Sequence, residues 1–110
     1  MIRVSVLYPN RPGVRFDLEY YGGAHMALVR ECLGEACLGI AVDQGVSGAA
    51  PGSPAPFVAV GHLFFASLEA FQQSFAPHAA KIMGDLPNFT DAEPLVQIGE
   101  VRERAAGVEG

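Results

Sequence analysis

The 110-residue chain has no tryptophan, two cysteines, and seven lysine and arginine residues against twelve aspartates and glutamates. A net charge of −5 argues against nucleic acid as a partner, because phosphate binding requires clustered basic side chains. The spacing of Cys32 and Cys37 fits neither a CxxC redox motif nor a zinc site. We therefore predict two free, buried thiols.

The chain also lacks an apolar run of about 18 residues, the length that a membrane-spanning helix requires. Its first residues enter a strand pattern without the features of a signal peptide. These absences predict no membrane partner and a cytoplasmic location. Half of the residues are nonetheless hydrophobic and only 17% are charged, an apolar content that is high for a monomer of this size.

Alternating hydrophobicity and turn residues predict one domain, residues 1–104, with a flexible tail over residues 105–110. Asp17 and Ser67 are the expected N-caps of two helices, Gly34 is the expected end of the first helix, and Pro77 is expected to kink the second. The predicted elements are strands over 2–8, 36–46, 57–66 and 94–101, with helices over 18–33 and after residue 67.

The order β-α-β-β-α-β is that of the split βαβ arrangement. We predict an α+β, ferredoxin-like fold, in which a four-stranded antiparallel sheet carries both helices on one face. The third strand has Leu63 and Phe65 on one face and Val60 and Phe64 on the other. A sheet with one wet face should alternate cleanly, so we expect a homodimer with the open sheet faces together.

Two segments of the chain resemble the EthD family, which is named for ethyl tert-butyl ether degradation. The first is Phe16–Tyr21 followed by His25–Val29, and the second is Met83–Thr90 followed by Glu93–Val101. The resemblance covers nearly the whole chain and implies the dimeric α+β barrel fold. One departure is Ala27, where the family usually has proline. Relatives in the superfamily include cofactor-free monooxygenases, muconolactone isomerases, polyketide cyclases and haem-degrading enzymes.

His25 is the strongest catalytic candidate. It shares a predicted helix face with Tyr21, Leu28 and Cys32, so it should point into an apolar interior, where an imidazole can transfer a proton near neutral pH. Tyr21, one turn earlier, can orient His25 or bond a substrate oxygen. The alternative is a core histidine bonded to a backbone carbonyl.

Four further residues are predicted to bind substrate: Tyr8, Leu28, His62 and Phe64. His62 lies mid-strand and lines either the same pocket or the dimer interior. His78 is expected to be exposed, and Asp85 to form a turn with Asn88 or to cap an element. The histidines show no spacing typical of a metal site.

Three functions remain open at the level of sequence. The first is an oxidoreductase-type catabolic enzyme that acts on a small apolar oxygenated compound without a tightly bound organic cofactor. The second is an isomerase or cyclase. The third is a non-catalytic protein that binds a small apolar or aromatic molecule, or that assists an oxygenase.

Overall fold

The computed structural model describes residues 1–103, and the predicted tail at 105–110 lies outside them. Four strands form one antiparallel sheet in the order β2-β3-β1-β4. This arrangement confirms the predicted α+β, ferredoxin-like architecture. The strands are β1 (Ile2–Pro9), β2 (Gly39–Gln44), β3 (Phe57–Phe65) and β4 (Leu95–Glu100).

Two helical stretches connect the strands. The first consists of α1 (Leu18–Tyr20), a π-helical turn (Tyr21–His25) and α2 (Met26–Leu33). The second consists of α3 (Leu68–Phe75) and α4 (Ala79–Gly84), separated by a 3-10 turn that contains Pro77. Proline has no N–H for the helical ladder, and this accounts for the interruption. Two further 3-10 turns follow the two stretches, at Gly34–Ala36 and Leu86–Asn88.

The helix ends have the caps that the sequence predicts. The Asp17 carboxylate accepts a hydrogen bond from the Tyr20 N–H at 3.0 Å, and the Ser67 hydroxyl accepts one from the Ala70 N–H at 3.0 Å. Gly34 ends the first stretch with a φ of +60°, a region that glycine occupies without steric cost. These caps determine the residues at which the helical stretches begin and at which the first of them ends.

The core lies between the helices and one sheet face. The register places Val4 beside Leu63 and Ile98, so these three side chains share that face. Tyr8, Tyr21, Phe65 and Phe89 are the largest fully buried side chains. The first helical stretch packs against this sheet face. The other face of the sheet is free of helices. In residues 1–103, no helix is both long and apolar enough to cross a bilayer.

Candidate active site

A cavity of about 340 Å³ separates the sheet from the helices. This volume is within the usual range of small-molecule sites. Its wall is almost entirely apolar. The sheet contributes Val6, Gly61 and Leu63 among others, and the helices contribute Met26, Phe75 and Ile82.

The π-helical turn brings two polar residues to this wall. The Met26 N–H donates to the Tyr21 carbonyl across five residues, so the turn holds one residue more than an α-helical turn. Tyr21 and His25 are consequently both buried and both line the cavity. Such π-turns occur frequently at functional sites.

After this turn, the side chains that the first helical stretch buries differ from those that the sequence predicts. The sequence predicts a face of Tyr21, His25, Leu28 and Cys32, with Met26, Val29 and Leu33 beside it. In the structure those three neighbours are the buried residues of α2, while Leu28 and Cys32 are half-buried. The uniform α-helical spacing behind that prediction is wrong here, because the extra residue of the π-turn rotates the following helix.

Asp85 bonds to the buried imidazole. The His25 Nδ1 lies 2.8 Å from the Asp85 Oδ2, and the two side chains are 5% and 13% exposed. The other carboxylate oxygen accepts from the Tyr20 hydroxyl at 2.8 Å and from the Asn88 amide at 2.9 Å. Three donors therefore fix the carboxylate, and the carboxylate fixes the ring.

These contacts define the charge of Asp85 and the tautomer of His25. Burial opposes the ionised carboxylate, but the hydrogen bonds from Asn88, His25 and Tyr20 outweigh it and hold the pKa of Asp85 below its ordinary value. An ionised carboxylate only accepts, so the hydrogen-bond network assigns the proton to Nδ1 of His25. Within residues 1–103, the hydrogen bond of the ring uses Nδ1, so Nε2 is the acceptor of the ring in its neutral form.

Two tyrosines complete the polar part of the wall. The Tyr21 ring stacks on His25 with centroids 5.6 Å apart, and its hydroxyl bonds with that of Tyr8. Burial raises the pKa of Tyr8 to about 12 and, together with Tyr8, that of Tyr21 still further. Both phenols are therefore neutral at physiological pH. Tyr21 donates to Tyr8 in the bond between them, so the O–H of Tyr8 is the one left to donate to another group.

Gly61 makes room for this tyrosine pair. A Cβ at position 61 would clash with the Tyr21 hydroxyl, which lies against the β3 backbone. The close approach brings the first helical stretch down onto the sheet. It also places the Tyr21 hydroxyl beside that of Tyr8 on β1.

Of the four predicted substrate-binding residues, Tyr8 lines the cavity, and Leu28, His62 and Phe64 lie outside its lining. His62 and Phe64 are paired with Ser5 and Arg3 of β1, on the sheet face away from the helices. Strand alternation explains this placement, because Gly61 and Leu63 face the helices. Leu28 is displaced by the π-turn described above.

His62 instead joins a polar chain on the helix-free face. Its Nδ1 lies 3.1 Å from the Ser5 hydroxyl and its Nε2 3.1 Å from the Asp43 carboxylate. His78 is half-buried in the 3-10 turn. Across residues 1–103, no group of three potential metal ligands comes together.

Asp85 is the site residue for which the sequence predicted a different role. The predicted turn is present, since the Asn88 N–H donates to the Asp85 carbonyl at 3.0 Å. The contact to His25 spans 60 positions, and no periodic pattern in the sequence predicts it. The available signal was the Met83–Thr90 segment, one of the two that carry the family resemblance.

Comparison with known proteins agrees with this architecture. Residues 15–93 match the EthD domain family. That match includes the first helical stretch, the cavity residues of β3 and the Asp85 turn. The chain belongs to the EthD family.

A solved EthD-like protein from Ralstonia eutropha is 41% identical, with a TM-score of 0.91 over 96% of this chain and 95% of that chain. An EthD family protein from Bacillus halodurans is 19% identical, with a TM-score of 0.64 over 92% and 98% of the two chains. A protein from Arabidopsis thaliana is 16% identical, with a TM-score of 0.67 over 96% and 99%. The last two likenesses show the fold alone. A comparison with curated proteins gives no significant match.

Proposed function

We propose that this EthD protein is an enzyme that transfers a proton to or from a small apolar oxygenated compound, with His25 Nε2 as the general base. The observation that carries the proposal is the 2.8 Å His25–Asp85 pair at the wall of an otherwise apolar cavity. A carboxylate that fixes the imidazole tautomer is a common way to activate a general base.

Removal of a proton from such a compound leaves an enolate or phenolate. The hydroxyls of Tyr8 and Tyr21 lie on the same cavity wall, and the Tyr8 O–H, which the bond between them leaves free, is suited to stabilise the developing oxyanion. The fate of the anion separates the reaction types: oxidation needs molecular oxygen as a co-reactant, isomerisation needs protonation at a second carbon, and cyclisation needs an internal carbonyl. The predicted oxidoreductase would catalyse the first of these reactions. Removal of the proton is the step that all three reactions share.

The proton transfer is testable without the natural substrate. β-Tetralone, an apolar ketone with acidic C–H bonds, is incubated with the protein in deuterated water, and NMR follows deuterium incorporation. The wild-type chain should accelerate exchange, and His25→Ala should lose about 10²- to 10⁴-fold of the acceleration.

The matched control is His78→Ala, since His78 lies outside the cavity lining and its replacement should leave the exchange rate unchanged. Equal rates for the wild-type chain and His25→Ala would refute the proposal. Bound β-tetralone without any acceleration would instead support the ligand-binding or accessory function, which the nearly unbroken apolar wall favours.

We also propose that the chain works as a homodimer through its helix-free sheet face. Leu7 of β1 pairs in register with Val60 of β3 and Leu95 of β4, so an apolar row crosses that face. Leu95 is 58% exposed. A second copy of the sheet would cover this row, whereas the cavity lies on the opposite face.

A further inference from the structure

We infer that the ligand of this cavity is an uncharged two-ring compound that carries one weakly acidic group. This inference rests on the proposed function, because the acidic group is assigned to His25. It names the size and charge class of the compound from three features of the cavity: its volume, its lining and the position of its polar atoms.

The volume sets the size. A dry cavity of about 150 Å³ holds one benzene ring, and this cavity is about 340 Å³. The space therefore corresponds to two such rings. A single ring would leave much of the apolar wall without contacts, and unfilled apolar wall loses dispersion energy.

The lining sets the charge. Among the described residues of the wall, there is no lysine and no arginine, and His25 is the titratable base. A carboxylate or sulfonate buried here would have no lysine or arginine to pair with and would lie near the Asp85 carboxylate, which is ionised and faces His25. An unpaired buried charge is strongly disfavoured. An uncharged ligand meets no such cost.

The polar atoms set the orientation. His25 and Tyr21 are stacked on one helical turn, and Tyr8 lies next to them on β1. The remaining wall offers aliphatic and aromatic carbon, including Phe71, Phe75 and Ile82. The acidic group of the ligand therefore points to the π-turn, and its rings extend between the sheet and the second helical stretch.

Calorimetric titration with three probes tests the inference: β-naphthol, phenol and β-naphthoate. β-Naphthol should bind at least about tenfold more tightly than phenol, because the second ring buries several more carbons. It should bind at least about 100-fold more tightly than β-naphthoate, because the carboxylate finds no lysine or arginine in the wall. Phenol or β-naphthoate affinities within threefold of that of β-naphthol would overturn the size or the charge assignment.

A pair of variants on β4 locates the binding. Val96 lines the cavity and is 55% exposed, while Ile98, 43% exposed, lies two residues further on the same strand and outside the lining. Val96→Trp should weaken β-naphthol at least about tenfold by filling the cavity, and the control Ile98→Trp should not. Equal effects of the two substitutions would contradict binding in this cavity.

His25→Ala separates this inference from the proposed function. It should weaken β-naphthol by less than about tenfold, because it removes a single hydrogen bond. If β-tetralone exchange fails while the probe ranking holds, the ligand class stands without the catalysis. If the ranking fails while exchange is accelerated, the catalysis stands and the ligand class falls.

Discussion

At the scale of single residues, Asp85 links the stability of the fold to the geometry of the site. Its carboxylate accepts hydrogen bonds from Tyr20, His25 and Asn88. Tyr20 and His25 belong to the first helical stretch, so their bonds join it to the turn that precedes β4. The same contacts that orient the imidazole therefore also hold two distant segments together.

The depressed pKa of Asp85 predicts how stability depends on pH. Because the folded-state pKa lies below the ordinary value of 3.8, the carboxylate stabilises the fold at pH values above about 4, and this contribution is lost as the pH falls through 3.8 and below. Urea unfolding at pH 7 and at pH 3 should show a smaller loss of unfolding free energy for Asp85→Asn than for the wild-type chain.

The control for this prediction is Glu31→Gln, which removes one negative charge from an exposed position of α2. It should keep the wild-type pH dependence between pH 7 and pH 3. A pH dependence of Asp85→Asn as steep as that of the wild-type chain would mean that the carboxylate does not stabilise the fold.

At the scale of secondary-structure elements, the sequence predicted the strands and helix ends well because each is encoded locally. Asp17, Ser67 and Gly34 act within a few residues of their own positions. The π-turn was not predicted, because Gly22 and Gly23 weaken a helix without specifying the extra residue. That turn decides which side chains of α2 face the cavity.

Strand alternation explains why His62 and Phe64, two of the predicted substrate-binding residues, lie outside the cavity. Phe64 lies next to Leu63 in sequence and therefore on the other sheet face, where the Arg3 guanidinium lies 5.2 Å from its ring centre. Alternation in β3 alone places His62 and Phe64 together on that face. Strand alternation could not predict the role of Asp85, because its contact to His25 depends on how the two helical stretches pack.

At the scale of the whole molecule, the cavity and the apolar row Leu7–Val60–Leu95 lie on opposite faces of the sheet. Each chain would then contain a complete site, and dimerisation would not be required for binding. Sedimentation at micromolar concentration should show a dimer for the wild-type chain.

Leu95→Lys should shift that dimer to monomer, because it places a charge in the apolar row. The monomer should still bind one β-naphthol per chain. Ile98→Lys is the matched control on the helix-facing side of β4, with a similar exposure, and should remain dimeric. A monomeric wild-type chain would exclude the sheet-to-sheet dimer.

A ligand of this cavity should present its acidic group to His25. A crystal structure of the complex with β-naphthol would show where that group lies. We expect the naphthol oxygen within about 3 Å of His25 Nε2, with both rings between Leu63 and Phe75. A naphthol that lies on the helix-free face, or that turns its oxygen away from His25 inside the cavity, would contradict it.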